Sequence, residues 1–461
     1  MSKRGVMTKG ILTLISVAAL FLVSCGTKGT GSFDGSADFN DIRVGMDYTD
    51  LSARLNLVTN RTDLIRDTRE GMEFPDYIEE FNRLYPNILI TVDGITDYDS
   101  DMGARLSSGS WGDICCIPTT VAASDYSDYF EPIGDLGKLN EKYEFADKTV
   151  YDDVAYGLPL CGNVEGIIYN KRIWKEAGIN GIPVTPDEFI ADLKLINENT
   201  DAIPLYTNYE AVWPLSIWDS YLYSCSTGNA KYKNYIMPYE KKPFSKKADR
   251  TGPYEVFSIL YRAVSEGLTE EDPETTSWEL SKGAMNRGEI ATMVLGSWAV
   301  SQIKGADLHP EDIGYMPFPI SVKGVQYSVA SGDYSYGINN RSAAPEKLAA
   351  KIFLKYMIEI SEYAVDQGSI PVVKGGKYPD DLKSFEKTKI LKDIIPDGKD
   401  GEVLFEILNK ESGLMFNSDS THVMHIIDSA LNKEETFDDI MDEWNRRWNE
   451  VQDRHGIKTV Q

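Results

Sequence analysis

Hydrophobic and polar positions change character twice along this chain. An apolar run from Ile11 to Val23 follows Lys3, Arg4 and Lys9, and then residues 26–50 carry few apolar residues in any period. From Leu55 onward, short apolar runs alternate with amphipathic stretches. Leu55-Asn56-Leu57-Val58 predicts a strand, and Phe74, Tyr77, Ile78, Phe81 and Leu84 place one apolar face on a helix over 71–84. Pro86 opens a second strand, Ile88 to Val92; a helix around 99–108 leads to a third, Ile114 to Ile117. Such alternation predicts an α/β lobe with a largely parallel sheet. The style resumes beyond Tyr156, with a strand at Ile167-Ile168-Tyr169 and a helix over 171–177 ended by Gly178. Thr185 as N-cap, Pro186 at the first helical position and Glu188 as capping-box partner start another helix. Residues 346–360 and 436–452 are further amphipathic helices.

The first apolar run is shorter than the about 20 residues that a membrane span needs. Basic residues followed by a short apolar core and small residues form a secretory signal. Leu22-Val23-Ser24-Cys25 resembles a bacterial lipobox. That resemblance implies cleavage after residue 24, a lipid on Cys25, and work outside the cytoplasmic membrane with a lipid anchor as the membrane contact. Residues 25–51, rich in Gly, Ser, Thr and Asp, then read as a flexible tether.

Composition narrows the class. The net charge of −25 becomes more negative once Lys3, Arg4 and Lys9 leave. Nucleic acid requires a basic footprint, so it is excluded as a partner, and so is lying flat on anionic lipid. At 42% hydrophobic the chain is globular, and its length predicts more than one lobe. Eight Trp and 26 Tyr against four His favour rings with a polar edge, suited to amphipathic ligands such as sugars. Cys115, Cys116, Cys161 and Cys225 show neither a disulfide framework nor a zinc spacing and read as free, buried thiols. Asp97, Asp99 and Asp101 alternate but lack the glycine and distal Glu of a calcium loop, so they read as a solvated acidic face.

Six segments match one family in order and spacing. Phe81-Asn82-Arg83-Leu84-Tyr85-Pro86-Asn87-Ile88 is followed by Gly112-Asp113-Ile114, with Gly at a usual Pro. Tyr156-Gly157-Leu158-Pro159 leads to Gly166-Ile167-Ile168-Tyr169-Asn170-Lys171, then to Ala177-Gly178-Ile179 and Pro183 through Phe189, with Pro186 at a usual Trp. Gly288 through Met293 with Gly296-Ser297-Trp298, and Gly368-Ser369-Ile370-Pro371-Val372, complete the set. Together these resemble the bacterial extracellular solute-binding proteins of family 1, the carbohydrate-binding components of ABC importers. The resemblance implies an α/β, two-lobed periplasmic-binding-protein-like fold with interleaved lobes and a hinge. One lobe is expected at 52–162 plus 337–405 and the other at 163–336 plus 406–461. It further implies a monomeric, non-enzymatic receptor without cofactor or metal, which captures an oligosaccharide and passes it to permease subunits. A tethered glycosidase or lyase and a glycan-binding adhesin remain rival readings, as does a polyol phosphate as ligand.

A sugar presents hydroxyls and C–H faces, so its site needs carboxylates, amides or Arg beside Trp or Tyr. In α/β sheets these sit past the carboxyl ends of strands. Asn60, Arg61 and Asp63 follow the first strand, and Thr119 and Thr120 follow the third. Asn163 and Glu165 lie in the segment that the family uses to cross between lobes. Tyr209, Glu210 and Trp213 share one loop, with Trp213 or Trp218 expected to be core. Trp298 resembles the family's sugar-stacking tryptophan. Asp333 and Tyr334 follow Gly332 near another crossing, and Asn417 and Asp419 are rim candidates.

Overall fold

A computed structural model describes residues 37–65, 72–394 and 404–460. The apolar leader and Cys25 lie outside them. The strands that matter for the site are β1 (Ala53–Thr59), β2 (Ile88–Gly94), β3 (Ile114–Cys116), β4 (Gly157–Pro159), β5 (Gly162–Asn170), β6 (Thr292–Gly296), β7 (Ile313–Met316), β8 (Val325–Gly332), β9 (Ser335–Ile338) and β10 (Lys389–Leu391). They form two main sheets. The first has the order β2-β1-β3-β9-β4; the second is built on β7-β5-β8, with β6 paired to β5 and β10 paired to β8.

The predicted elements appear nearly in place. Helix α1 spans Phe74–Leu84 with Phe74, Tyr77 and Phe81 buried, and α2 spans Tyr98–Ser108. The helix expected from Thr185 is α3, Pro186–Asn199. Thr185 Oγ1 accepts the Glu188 N–H, as a cap should, but the Glu188 carboxylate reaches one residue further back and accepts the Val184 N–H at 2.8 Å. Thr185→Ala should cost about 1 kcal/mol, read as a lower urea midpoint with unchanged slope.

Strand direction departs from the expectation. β1 is parallel to both β2 and β3, but β9 runs antiparallel to β3 and β4, and β5 runs antiparallel to β6, β7 and β8. The reason is topological. β4 and β5 are joined only by Leu160-Cys161, and β8 and β9 only by Asp333-Tyr334, so each pair carries the chain from one sheet to the other. A third crossing follows, where Ile370 exchanges both backbone hydrogen bonds with Gly162. It is complete well before 405: Asp381 already pairs with Lys304, and β10 lies alongside β8 of the second sheet.

Residues 37–51, read from composition as part of the tether, instead pack against the body carrying the first sheet. Phe39 and Leu51 are fully buried, and the Phe39 ring meets Tyr143 edge-on. The buried Lys355 ammonium donates to the Phe39 and Asn40 carbonyls at 2.6 and 2.9 Å, and Lys351 donates to that of Ala37. Three buried apolar residues, Phe39, Ile42 and Leu51, order this polar stretch, a spacing too sparse to register as an element. The four described cysteines are free and buried. Among the described residues no helix is long and apolar enough to cross a membrane, and no cluster of three or more His, Cys, Asp or Glu side chains could hold a metal.

Candidate functional site

Five of the eight tryptophans (Trp111, Trp174, Trp218, Trp444 and Trp448) are buried. The other three touch one another. Trp213 lies 5.5 Å from both Trp278 and Trp298, centroid to centroid, and Trp278 lies 5.8 Å from Trp298. Trp213 is 42% exposed and the other two are half-buried, while Trp218 packs edge-on against Phe318. The pair Trp213/Trp218 is therefore split as expected, with Trp218 the core member. An unburied aromatic cluster of this size forgoes hydrophobic stabilisation in the free protein and suits a ligand's apolar face.

Local structure holds this cluster in place. Val212, β-branched, sits at φ +61° and ψ −57°, and the Trp213 N–H donates to the Ala211 carbonyl at 2.7 Å. This is a strained γ-turn, and it presents Trp213 to the other two rings. The Glu210 N–H donates to Thr276 Oγ1 and the Ser277 N–H to the Tyr206 hydroxyl, which draws Trp278 alongside. Trp298 follows the turn after β6. There Ser297 is fully buried: its N–H donates to the Val164 carbonyl, and its hydroxyl accepts the Val164 N–H and bonds the Asn163 side-chain oxygen.

Gly296 pairs with Glu165 across β6 and β5. A Cβ at Gly296 would lie 2.5 Å from Trp298 Nε1 and 3.1 Å from Glu165 Oε2, so glycine is what lets indole and carboxylate converge. Glu165 Oε2 is buried and has no hydrogen-bond partner among the described residues. Burial pushes this carboxyl up to about 7, against the pull of Lys148, whose ammonium donates to the Gly332 carbonyl at 2.6 Å. An unpartnered acid oxygen beside edge-on and tilted rings is what a polyhydroxylated ligand would meet.

The remaining candidates fall into groups. The Arg61 guanidinium is spent on the protein: it grips Asp63 with two bonds of 2.9 and 2.8 Å and also donates to the Tyr363 hydroxyl and Gln367. Burial works against its charge, yet Tyr363 and Asp63 keep it well above the ordinary arginine range. Asn60 accepts a weak bond from Cys116. Thr119 and Tyr334 meet through Asp99, which accepts from the Thr119 N–H and hydroxyl and from the Tyr334 hydroxyl; Thr120 is exposed beside them. Asp333 accepts from the Tyr334 N–H and the Cys161 thiol. Asn163 bonds Ser297 and Ser369, tying two crossings together. Tyr209 donates to Asp428 on the helix Thr421–Asn432, and Glu210 is exposed. The Asn417 N–H donates to Asp219, while Asp419 caps Thr421. Asp99 therefore clamps two strand-end loops rather than forming a solvated face. Trp278 also escaped the reading, since nothing local separates it from the core tryptophans.

Two α/β bodies joined by three crossings, with aromatic rings and an unpaired acid at one crossing strand, define a two-lobed ligand receptor. The profile of the bacterial extracellular solute-binding proteins matches residues 67–360, and the chain belongs to that family, whose members are binding proteins. A manno-oligosaccharide-specific solute-binding protein of Bifidobacterium animalis subsp. lactis, solved with mannotriose, is 40% identical over 91% of this chain and 99% of its own, with a TM-score of 0.84. A second binding protein of an ABC transporter from that organism, solved with mannobiose, is 41% identical over 92% and 100%, with a TM-score of 0.83. A multiple sugar-binding protein of Streptococcus mutans is 26% identical over 65% of this chain and 71% of its own.

Proposed function

We propose that this chain is the substrate-binding protein of an ABC importer and captures a manno-oligosaccharide between its lobes. The observation that carries the reading is the contact of Trp213, Trp278 and Trp298 beside the unpartnered Glu165 carboxylate. The clustered rings take the C–H faces of a pyranose, and Glu165 takes a hydroxyl. Asp333 and Tyr334, on the crossing back, and Thr119 with Thr120, at the end of β3, face the ligand from the first lobe. Arg61 braces the first strand's end against Tyr363 and Gln367, and Asn163 ties Ser297 to Ser369, by the bonds they make within the protein. Contacts from both lobes favour the closed form, which the permease then receives; no bond in the sugar is broken. The basic-then-apolar leader and Leu22-Val23-Ser24-Cys25 support a lipid on Cys25 as the anchor outside the membrane.

Mannobiose and mannotriose should each raise the melting temperature of the purified protein by several degrees and give saturable heats in calorimetry, since a ligand that binds only the folded state stabilises it. Raffinose and chitobiose serve as comparison sugars. Silence toward both mannosides, or release of shorter sugars on incubation, would overturn the proposal.

A further inference from the structure

Phe145 occupies an unusual position. It is a non-glycine residue at φ +61°, nearly fully buried, and lies just after the helix Leu136–Lys142 of the first lobe. Its side chain fills a notch made by two glycines that face each other in register, the ring against Gly162 of β5 and the Cβ against Gly332 of β8. A Cβ at Gly162 would lie 2.2 Å from Phe145 Cε2 and 2.7 Å from Cζ; one at Gly332 would lie 2.9 Å from Phe145 Cβ. No side chain larger than hydrogen fits at Gly162 while the ring is present.

All three crossings meet here. Gly162 opens β5 just after the first, and Gly332 ends β8 just before the second. Gly162 also exchanges both backbone bonds with Ile370 of the third. The flanks of Phe145 are tied to that third segment, because the Glu144 N–H donates to the Val372 carbonyl at 2.7 Å and Tyr143 bridges Val373. From the second lobe, Lys392, just past β10, sets its ammonium 4.2 Å from the Phe145 ring centroid and 2.9 Å from the Glu144 carboxylate. Rigid-body closure needs a point about which the crossings bend, and close-packed interiors bend where a side chain fixes the gap.

We propose that Phe145 is the wedge of the hinge: its side chain, seated between Gly162 and Gly332, sets the angle between the lobes. It is a positioning residue and acts on ligand affinity only through that angle; the affinity part of its test rests on the manno-oligosaccharide reading. Two paired glycines explain why the notch exists, and the left-handed backbone of Phe145 explains how the ring enters it.

The test uses the full chain with fluorophores on unnatural amino acids at exposed Glu79 and Glu198, one in each lobe, and reads the interlobe distance distribution without sugar. Gly162→Ala should shift that distribution and lower mannotriose affinity at least tenfold, while Phe145→Ala should broaden it. The double variant should move back toward wild type, because the new methyl then has no ring to meet. An unshifted distribution in Gly162→Ala, or a double variant no nearer wild type than Gly162→Ala, would overturn the proposal. Should Gly162→Ala not fold, Lys392→Ala decides: a broader distribution at unchanged melting temperature supports the wedge, and unchanged width refutes it. The distances are read without ligand, so a wild-type chain indifferent to mannotriose counts against the ligand reading alone.

Discussion

Replacing Trp298 with alanine lowers mannotriose affinity by about 30- to 1,000-fold, which corresponds to ~2–4 kcal/mol, the loss typical of a central aromatic anchor. The size follows from its place in the cluster. The Trp298 ring touches both other tryptophans of the cluster and lies against the glycine that pairs with Glu165, so its removal takes away a stacking surface and loosens Trp213 and Trp278 together. Stability should fall far less than the ~3–5 kcal/mol of a core Trp→Ala change, since the ring is only half-buried and alanine favours the helix Trp298–Lys304 that it begins. The Ser297 bonds to Val164 use backbone and hydroxyl and survive the change. Calorimetry with mannotriose and urea denaturation separate the two effects. Unchanged affinity removes Trp298 from the site, and a parallel loss of stability and affinity assigns it to packing. Trp298→Phe, which keeps a smaller ring, should recover part of the binding.

What the sequence disclosed depended on how local the cause was. The start of α3 is written in four adjacent residues, since a hydroxyl cap, a proline and an acid act within one turn. Helix α1 was legible for the same reason: its apolar spacing is a property of the helix itself. Trp298 was reachable because the Gly-Ser-Trp turn is short and matched a family pattern. Trp278 was not, because what distinguishes it from Trp444 is the company of two loops 65 and 20 residues away. Arg61 was visible as a polar residue at a strand end, but its engagement by Tyr363 and Gln367 comes from residues about 300 positions later. The order of residues 37–51 has the same origin, for Phe39 needs Tyr143 and Lys355 to hold it. Strand direction also escaped, since the antiparallel pairings depend on the chain passing from one sheet to the other and back.

Sugar affinity should rise about fivefold from pH 6 to pH 7 and level off above about pH 8, and Glu165→Gln should abolish that slope. In the ligand-free chain burial holds the Glu165 carboxyl up at about 7, with Oε2 unpartnered. A sugar hydroxyl that donates to this oxygen favours the charged form, so binding draws the proton off and is helped by rising pH. Calorimetry in buffers of different ionisation heat should detect a proton released near pH 6.5 in the wild type and none in Glu165→Gln. The same group leaves the opposite mark on stability without ligand. The folded chain keeps the Glu165 proton to higher pH than the unfolded chain, whose carboxyl titrates near its ordinary 4.5. Stability from this group is therefore fully present below about 4.5 and declines as pH rises toward about 7, and Glu165→Gln should flatten that decline. Saturating mannotriose should flatten it too, because a hydroxyl donated to Oε2 favours the charged carboxylate. A slope in affinity that survives Glu165→Gln would move the titrating group elsewhere and take Glu165 out of contact with the sugar. A slope that vanishes while Trp298→Ala still binds would instead make the acid, not the ring, the chief contact. Together the two variants decide whether the cleft recognises its ligand by hydroxyl or by face.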